Sequence, residues 1–181
     1  MKNKKAAMEM SIGTIVVIVL AMSMLILGIV LVRNIFGSGM NVVDATDAQV
    51  MDQISKLFGD DTKVVIYPTT GETSVQIGQT GGFAFGIKNL ITGSQGQNAI
   101  FSYDVKVQDP GNCEVSPQEI ESWIIAKSGT DIPIPVGESF SQKILLQVPE
   151  TAYLCTFLLR VEVKQNSQNY GIGTMYISVV P

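Results

Sequence analysis

The spacing of hydrophobic and polar positions divides the chain into three parts. The first is an apolar run from Ile12 to Val32, which holds 21 residues and no charged side chain. As a helix this run is about 31 Å long, close to the hydrocarbon thickness of a bilayer. The pattern therefore predicts a helix over residues 7–36 that spans a membrane between Ile12 and Val32.

The second part, residues 37–61, begins with Gly37-Ser38-Gly39, which predicts a kink after the apolar helix. Beyond the kink, apolar residues recur at helical spacing and acidic residues occupy the other side, which predicts an amphipathic helix. The apolar stripe consists of Val43, Val50, Ile54, Leu57 and Phe58. Two partners for this stripe remain open: the chain's own β domain and neighbouring subunits.

In the third part, residues 62–181, the hydrophobic period changes to two. About seven main strands are predicted, separated by clusters of Gly, Pro, Asn and Ser, with a run from Ile120 to Ala126 taken as one of them. Burying one face of each strand predicts an all-β antiparallel sandwich. Tyr153 lies two residues before Cys155, as in the tyrosine corner of immunoglobulin-like sandwiches, and Trp123 is expected in the core.

Charge gives the chain an orientation. The first ten residues carry Lys2, Lys4 and Lys5 against one glutamate, whereas the chain as a whole has a net charge of −4. The positive-inside rule then leaves the N-terminus in the cytoplasm and residues 62–181 outside the cell membrane. The acidic remainder of the chain disfavours nucleic acid as a partner.

Cys113 and Cys155 are the only cysteines, and both lie in the part predicted to be extracytoplasmic. An oxidising compartment allows them to form a disulfide, which would tie the loop after the Phe101–Val107 strand to the strand at Tyr153. In the chain-entropy model, such a bridge stabilises the fold by about 4 kcal/mol. Two buried free thiols are the alternative.

No constellation of catalytic residues is recognisable, so an enzyme is not expected. The chain contains no histidine, and it has neither a phosphate-binding loop nor a nucleophile motif. The spacing of its two cysteines does not fit a zinc site. We therefore predict no cofactor and no metal.

The segment from Lys4 to Val17, KKAAMEMSIGTIVV, resembles the N-terminus of archaeal type IV pilin-like proteins, including archaellins. The resemblance implies a basic leader over residues 1–6, cut by a membrane-embedded prepilin peptidase between Ala6 and Ala7. It also implies a helix in a filament core that bears an outer β-sandwich. Glu9 would then lie near the mature N-terminus and pair with the freed amine of a neighbour. Its other interpretation is a carboxylate favoured by the helix dipole.

Two functions follow from these observations. One is a pilin-like structural subunit of the cell surface, inserted in the bilayer or assembled with copies of itself into a helical filament. The other is a permanently anchored single-pass membrane protein whose immunoglobulin-like domain binds a partner or serves in adhesion. Arg33, which closes the apolar run, favours the second.

Overall fold

The computed structural model describes residues 4–37, 47–93 and 99–181, with side chains from residue 13 to 29 in the first segment and from residue 48 onward in the others. The chain divides into two units, Met1–Gly39 and Met40–Pro181. The first unit contains helix α1 (Lys4–Gly37), which begins three residues before the predicted helix. Within the described residues, no helix combines the length and apolar character that a membrane crossing requires. The predicted kink at Ser38 and Gly39, and Val43 of the apolar stripe, lie outside these residues.

The second unit contains two further helices and nine strands in its described part. The helices are α2 (Asp47–Leu57) and α3 (Pro117–Ser122). The strands are β1 (Val64–Tyr67), β2 (Glu72–Gln76), β3 (Thr80–Lys88), β4 (Ile100–Asp109), β5 (Ile124–Ile125), β6 (Ser128–Pro133), β7 (Ser139–Gln147), β8 (Thr156–Gln165) and β9 (Gln168–Val180). They form a four-stranded sheet in the order β1-β3-β7-β5 and a five-stranded sheet in the order β2-β9-β8-β4-β6.

The predicted β-sandwich is confirmed, because alternate residues of both sheets enter one apolar core. The Phe85 ring of the four-stranded sheet meets the Tyr103 ring of the five-stranded sheet edge to face, with centroids 4.9 Å apart. Trp123 is buried, as predicted, with its ring 6.2 Å from that of Phe157. The central strands are arranged as in immunoglobulin-like domains, with β1-β3-β7 in one sheet and β9-β8-β4 in the other.

One pairing departs from the predicted antiparallel arrangement. Strand β2 pairs with β9 in parallel, with Glu72 opposite Tyr176. The reason is that the chain passes from β1 in one sheet to β2 in the other through a turn in which the Gly71 amide donates to the Pro68 carbonyl. The chain keeps its direction through this turn, so β1 and β2 form one continuous segment that is an edge strand first of one sheet and then of the other.

The run from Ile120 to Ala126 is not a single strand, and here the sequence interpretation was wrong. Residues Pro117–Ser122 form α3, in which the Ser116 side chain caps the Glu119 amide, and only two residues of the run pair as β5. Ile120 points into the core from the helix. Apolar residues at the end of a short helix, followed by those of a short strand, produce the same apolar run as one longer strand. The capping Ser116 and the following Pro117 were the informative signals for a helix.

Helix α2 packs on the outer face of the four-stranded sheet. Val50 and Ile54 are buried against Val65 and Ala84, and Leu57 and Phe58 pack at the border of this cluster. Of the two partners left open for the apolar stripe, the chain's own β domain is therefore the one observed. Strand β3 is adapted to the helix: its inward residues are large, whereas a side chain at outward-facing Gly86 would collide with Ile54 and Phe58.

Candidate functional site

The surface of α1 is the most unusual feature of the first unit. Every residue described on this helix with its side chain, from residue 13 to residue 29, is exposed, and all but Thr14 and Ser23 are apolar. Seventeen successive helical positions cover the whole circumference, so the apolar surface has no polar side. Exposed apolar area of this extent marks a surface that contacts a partner or a lipid phase.

The serine on the described part of this helix is satisfied within the helix. The Ser23 hydroxyl donates a hydrogen bond of 2.7 Å to the Val19 carbonyl one turn earlier. A hydroxyl bonded in this way can enter an apolar environment without an unpaired donor. Gly13 and Gly28 face open space, since a methyl group added at either would meet nothing within 4 Å. The described surface of α1 can therefore engage another apolar surface by packing alone.

The residues predicted for leader cleavage, for assembly and for the two ends of the membrane span all belong to α1. Ala6, Ala7, Glu9 and Ile12 are within its first turns, and Val32 is near its end. Their side chains are outside the described set, so their predicted roles remain predictions.

Cys113 and Cys155 form the predicted disulfide, with Cα atoms 4.9 Å apart. It joins the loop after β4 to the residue that precedes β8, as the sequence analysis expected. A second tie lies beside it, because the Thr156 amide donates to the Asn112 side chain at 2.7 Å. Gly111 allows the close approach, since a side chain there would overlap the Thr156 carbonyl. This end of the sandwich is consequently held by a covalent bond and a hydrogen bond together.

The tyrosine corner predicted at Tyr153 was wrong. The Tyr153 side chain is 61% exposed on the loop before Cys155. Tyr170 does link backbone segments, because its hydroxyl donates to the Lys88 carbonyl at 2.7 Å and accepts from the Leu90 amide at 3.0 Å. Position relative to a cysteine was therefore a misleading signal.

The outer face of the five-stranded sheet carries an ordered set of charges that the sequence analysis missed. On β4, Lys106 Nζ lies 2.9 Å from Asp104 Oδ2, and on β8, Arg160 Nε lies 3.2 Å from Glu162 Oε1. The hydrogen bond that Lys106 donates to Asp104, reinforced by the nearby carboxylates, raises the pKa of Lys106. The signal was present in the sequence as charges at alternate positions of two strands whose other positions are apolar.

These four charges form two rows across the strands. The register places Lys106 opposite Arg160 and Asp104 opposite Glu162. Each row therefore carries one sign of charge, which we name the basic row and the acidic row. On the neighbouring strand β9, Ile172 lies opposite Glu162 and is exposed to solvent.

No family model and no curated protein matches this sequence. Among solved structures, the chain is similar to the PapD-like domain 7 of human CEP192, with a TM-score of 0.40 and 11% identity over 66% of this chain and 86% of that one. It is also similar to the periplasmic chaperone SfaE, with a TM-score of 0.36 and 12% identity over 65% of this chain and 56% of that one. No argument about function rests on likenesses this distant.

Proposed function

We propose that this chain is a pilin-like structural subunit of the cell surface. Helix α1 is inserted in the membrane or assembled with copies of itself in a filament core, and the β-sandwich is displayed outside. The observation that carries the proposal is the exposed apolar surface of α1, which continues a sequence that starts with a short basic leader. The proposal gives the chain no catalytic role and no cofactor.

The physical basis is that a helix with an apolar surface on all sides is stable both in lipid and in a bundle of like helices. Transfer from one to the other exchanges two apolar environments, so packing and polar pairing decide the outcome. In this proposal Glu9 supplies the polar pairing, by binding the amine that cleavage frees on a neighbouring subunit. That pairing would fix the axial register of the subunits.

The proposed location of the β-sandwich outside the membrane rests on two features of the sequence and one of the structure. The lysines of the leader favour a cytoplasmic N-terminus. The uncharged run from Ile12 to Val32 has the length of a bilayer crossing. The Cys113–Cys155 disulfide is typical of an extracytoplasmic compartment.

A permanently anchored binding or adhesion protein is the second candidate. The observation that favours it is Arg33, a charge directly after the apolar run, which suits a helix that ends at a membrane surface. The two functions require different fates of the N-terminus, because only the pilin-like subunit loses its leader to a prepilin peptidase.

The mature N-terminus therefore tests the proposed function. We expect intact-mass analysis of the protein from its native cells to show a chain that begins at Ala7. An Ala6→Val variant should keep its leader, because a branched side chain replaces a small one at the cut. The matched Ala6→Gly variant should be processed normally. A native chain that still begins at Met1 or Lys2 would exclude a processed pilin and leave the anchored protein.

A further inference from the structure

The outer face of the five-stranded sheet is self-complementary in charge. Successive outward residues on a strand are about 7 Å apart, so the basic row of Lys106 and Arg160 runs parallel to the acidic row of Asp104 and Glu162 at that distance. Consider a two-fold axis that lies in the plane of the face, perpendicular to the strands and midway between the two rows. Rotation about this axis places the basic row of one copy over the acidic row of a second copy, and the acidic row over the basic row.

The same operation also matches the strands. Rotation about this axis keeps each strand over its counterpart and reverses its direction, so β8 lies over β8 and β4 over β4 of the second copy. Lys106 then faces Asp104 of the second copy, and Arg160 faces its Glu162. The exposed Ile172 lies on β9 beside the acidic row, and Thr174 lies beside the basic row. Ile172 of one copy then faces Thr174 of the second copy, which adds an apolar contact next to the charges.

We propose that this face is an isologous interface through which two copies of the chain associate, with their sandwiches antiparallel. The charge pattern favours a second copy over another partner, because a partner of one sign would be repelled by one of the two rows. Within one copy, like charges directly opposite each other on neighbouring strands oppose the fold. A second copy turns both rows into attractive contacts. This association is independent of the processing of the N-terminus.

A charge-swap experiment tests the proposal on the full chain in non-ionic detergent at low salt. One variant, Lys106→Glu with Arg160→Glu, makes both rows acidic. The other, Asp104→Lys with Glu162→Lys, makes both rows basic. The two variants carry different affinity tags, and the amount of each that is recovered with the other is compared with recovery of like with like.

We expect each variant alone to self-associate at least about tenfold more weakly than the wild-type chain. When the two variants are mixed, we expect the acidic variant to pair with the basic variant in preference to a copy of itself. A matched control, Asp52→Lys with Lys56→Glu, swaps an exposed ion pair on α2 and should leave association unchanged. Wild-type association should also weaken as salt is added, which tests the proposal without any substitution.

Equal recovery of the acidic variant with itself and with the basic variant would overturn the proposal. So would wild-type association that does not respond to salt, or loss of association in the α2 control as well. Cooperative urea unfolding of each variant shows that it has folded, so a misfolded variant is recognised and the salt series then decides.

Discussion

Tyr170 shows how one side chain can join two sheets. It belongs to β9 of the five-stranded sheet, yet its hydroxyl binds Lys88 and Leu90 at the end of β3 in the other sheet. Its ring also contacts that of Phe101, with centroids 4.9 Å apart. Burial raises the pKa of Tyr170, against a smaller lowering by the hydrogen bond from Leu90. The neutral hydroxyl is therefore the form that the fold stabilises.

This environment predicts a loss of stability at alkaline pH. Because the folded-state pKa of Tyr170 is raised, its contribution is complete below the ordinary value of 10.0 and is lost as the pH rises through the folded pKa. We expect Tyr170→Phe to lower the free energy of unfolding by about 1–3 kcal/mol at neutral pH, since the Leu90 amide loses its acceptor. The variant should also lose stability less steeply above pH 10 than the wild type. Denaturant unfolding between neutral pH and pH 11 measures both effects.

The control for this prediction is Tyr153→Phe. Tyr153 is mostly exposed, so its hydroxyl can be removed without leaving a buried group unpaired. We expect its free energy of unfolding at neutral pH to equal that of the wild type. An equal effect of the two substitutions would show that the Tyr170 hydroxyl does not link the sheets.

At the scale of elements, α2 and β3 are fitted to each other. Phe83, Phe85 and Ile87 fill the core from the inner face of β3, while Ala84 and Gly86 leave its outer face flat. The alternation of large and small residues thus creates two usable faces on one strand. Helix α2 covers the flat face with Val50 and Ile54, which makes the helix part of the β domain.

This fit predicts an asymmetry between the two sides of α2. Ile54 is 1% exposed, so Ile54→Ala removes buried methyl groups and should lower the free energy of unfolding by about 2–5 kcal/mol. Met51 is 47% exposed on the same helix, and Met51→Ala should change the free energy of unfolding by less than about 0.5 kcal/mol. Urea denaturation of the two variants measures the difference. Similar values for both would mean that the helix is not docked in solution.

At the scale of the whole molecule, the chain consists of two units with different physics. All buried side chains in the described residues lie between Val50 and Val179, within the second unit. The described side chains of α1 are all exposed, and apart from Thr14 and Ser23 they are apolar. Within the described residues, the second unit therefore holds the core and the disulfide, and the first carries an exposed apolar surface.

We accordingly expect residues 40–181, produced under oxidising conditions, to unfold cooperatively at the same denaturant midpoint as the full chain. The reason is that removal of α1 takes no buried side chain from the second unit. Residues 62–181, which also lack α2, should have a lower midpoint because Val65 and Ala84 lose their cover. If the longer fragment proved unfolded or less stable than the full chain, the two units would depend on each other.

Local patterns were sufficient for most elements and insufficient for contacts between distant segments. The alternation of apolar residues through β8 and the polar residues at the hairpin to β9 are such local patterns, because both signals come from neighbouring residues. The strand assigned to Ile120–Ala126 failed because a short capped helix and a two-residue strand give the same apolar run. The facing charges on β4 and β8 were visible only once the register had aligned positions far apart in sequence.

By itself, the sequence determined the apolar helix, the amphipathic helix, the β-sandwich and the availability of two cysteines for one bridge. These features follow from composition and from periods of about 3.6 and 2 residues, which are properties of short segments. Tertiary structure alone decided that α2 covers the chain's own sheet, that Tyr170 and not Tyr153 ties the sheets, and that like charges align in rows. Each of these depends on register and packing between distant segments, which no local pattern encodes.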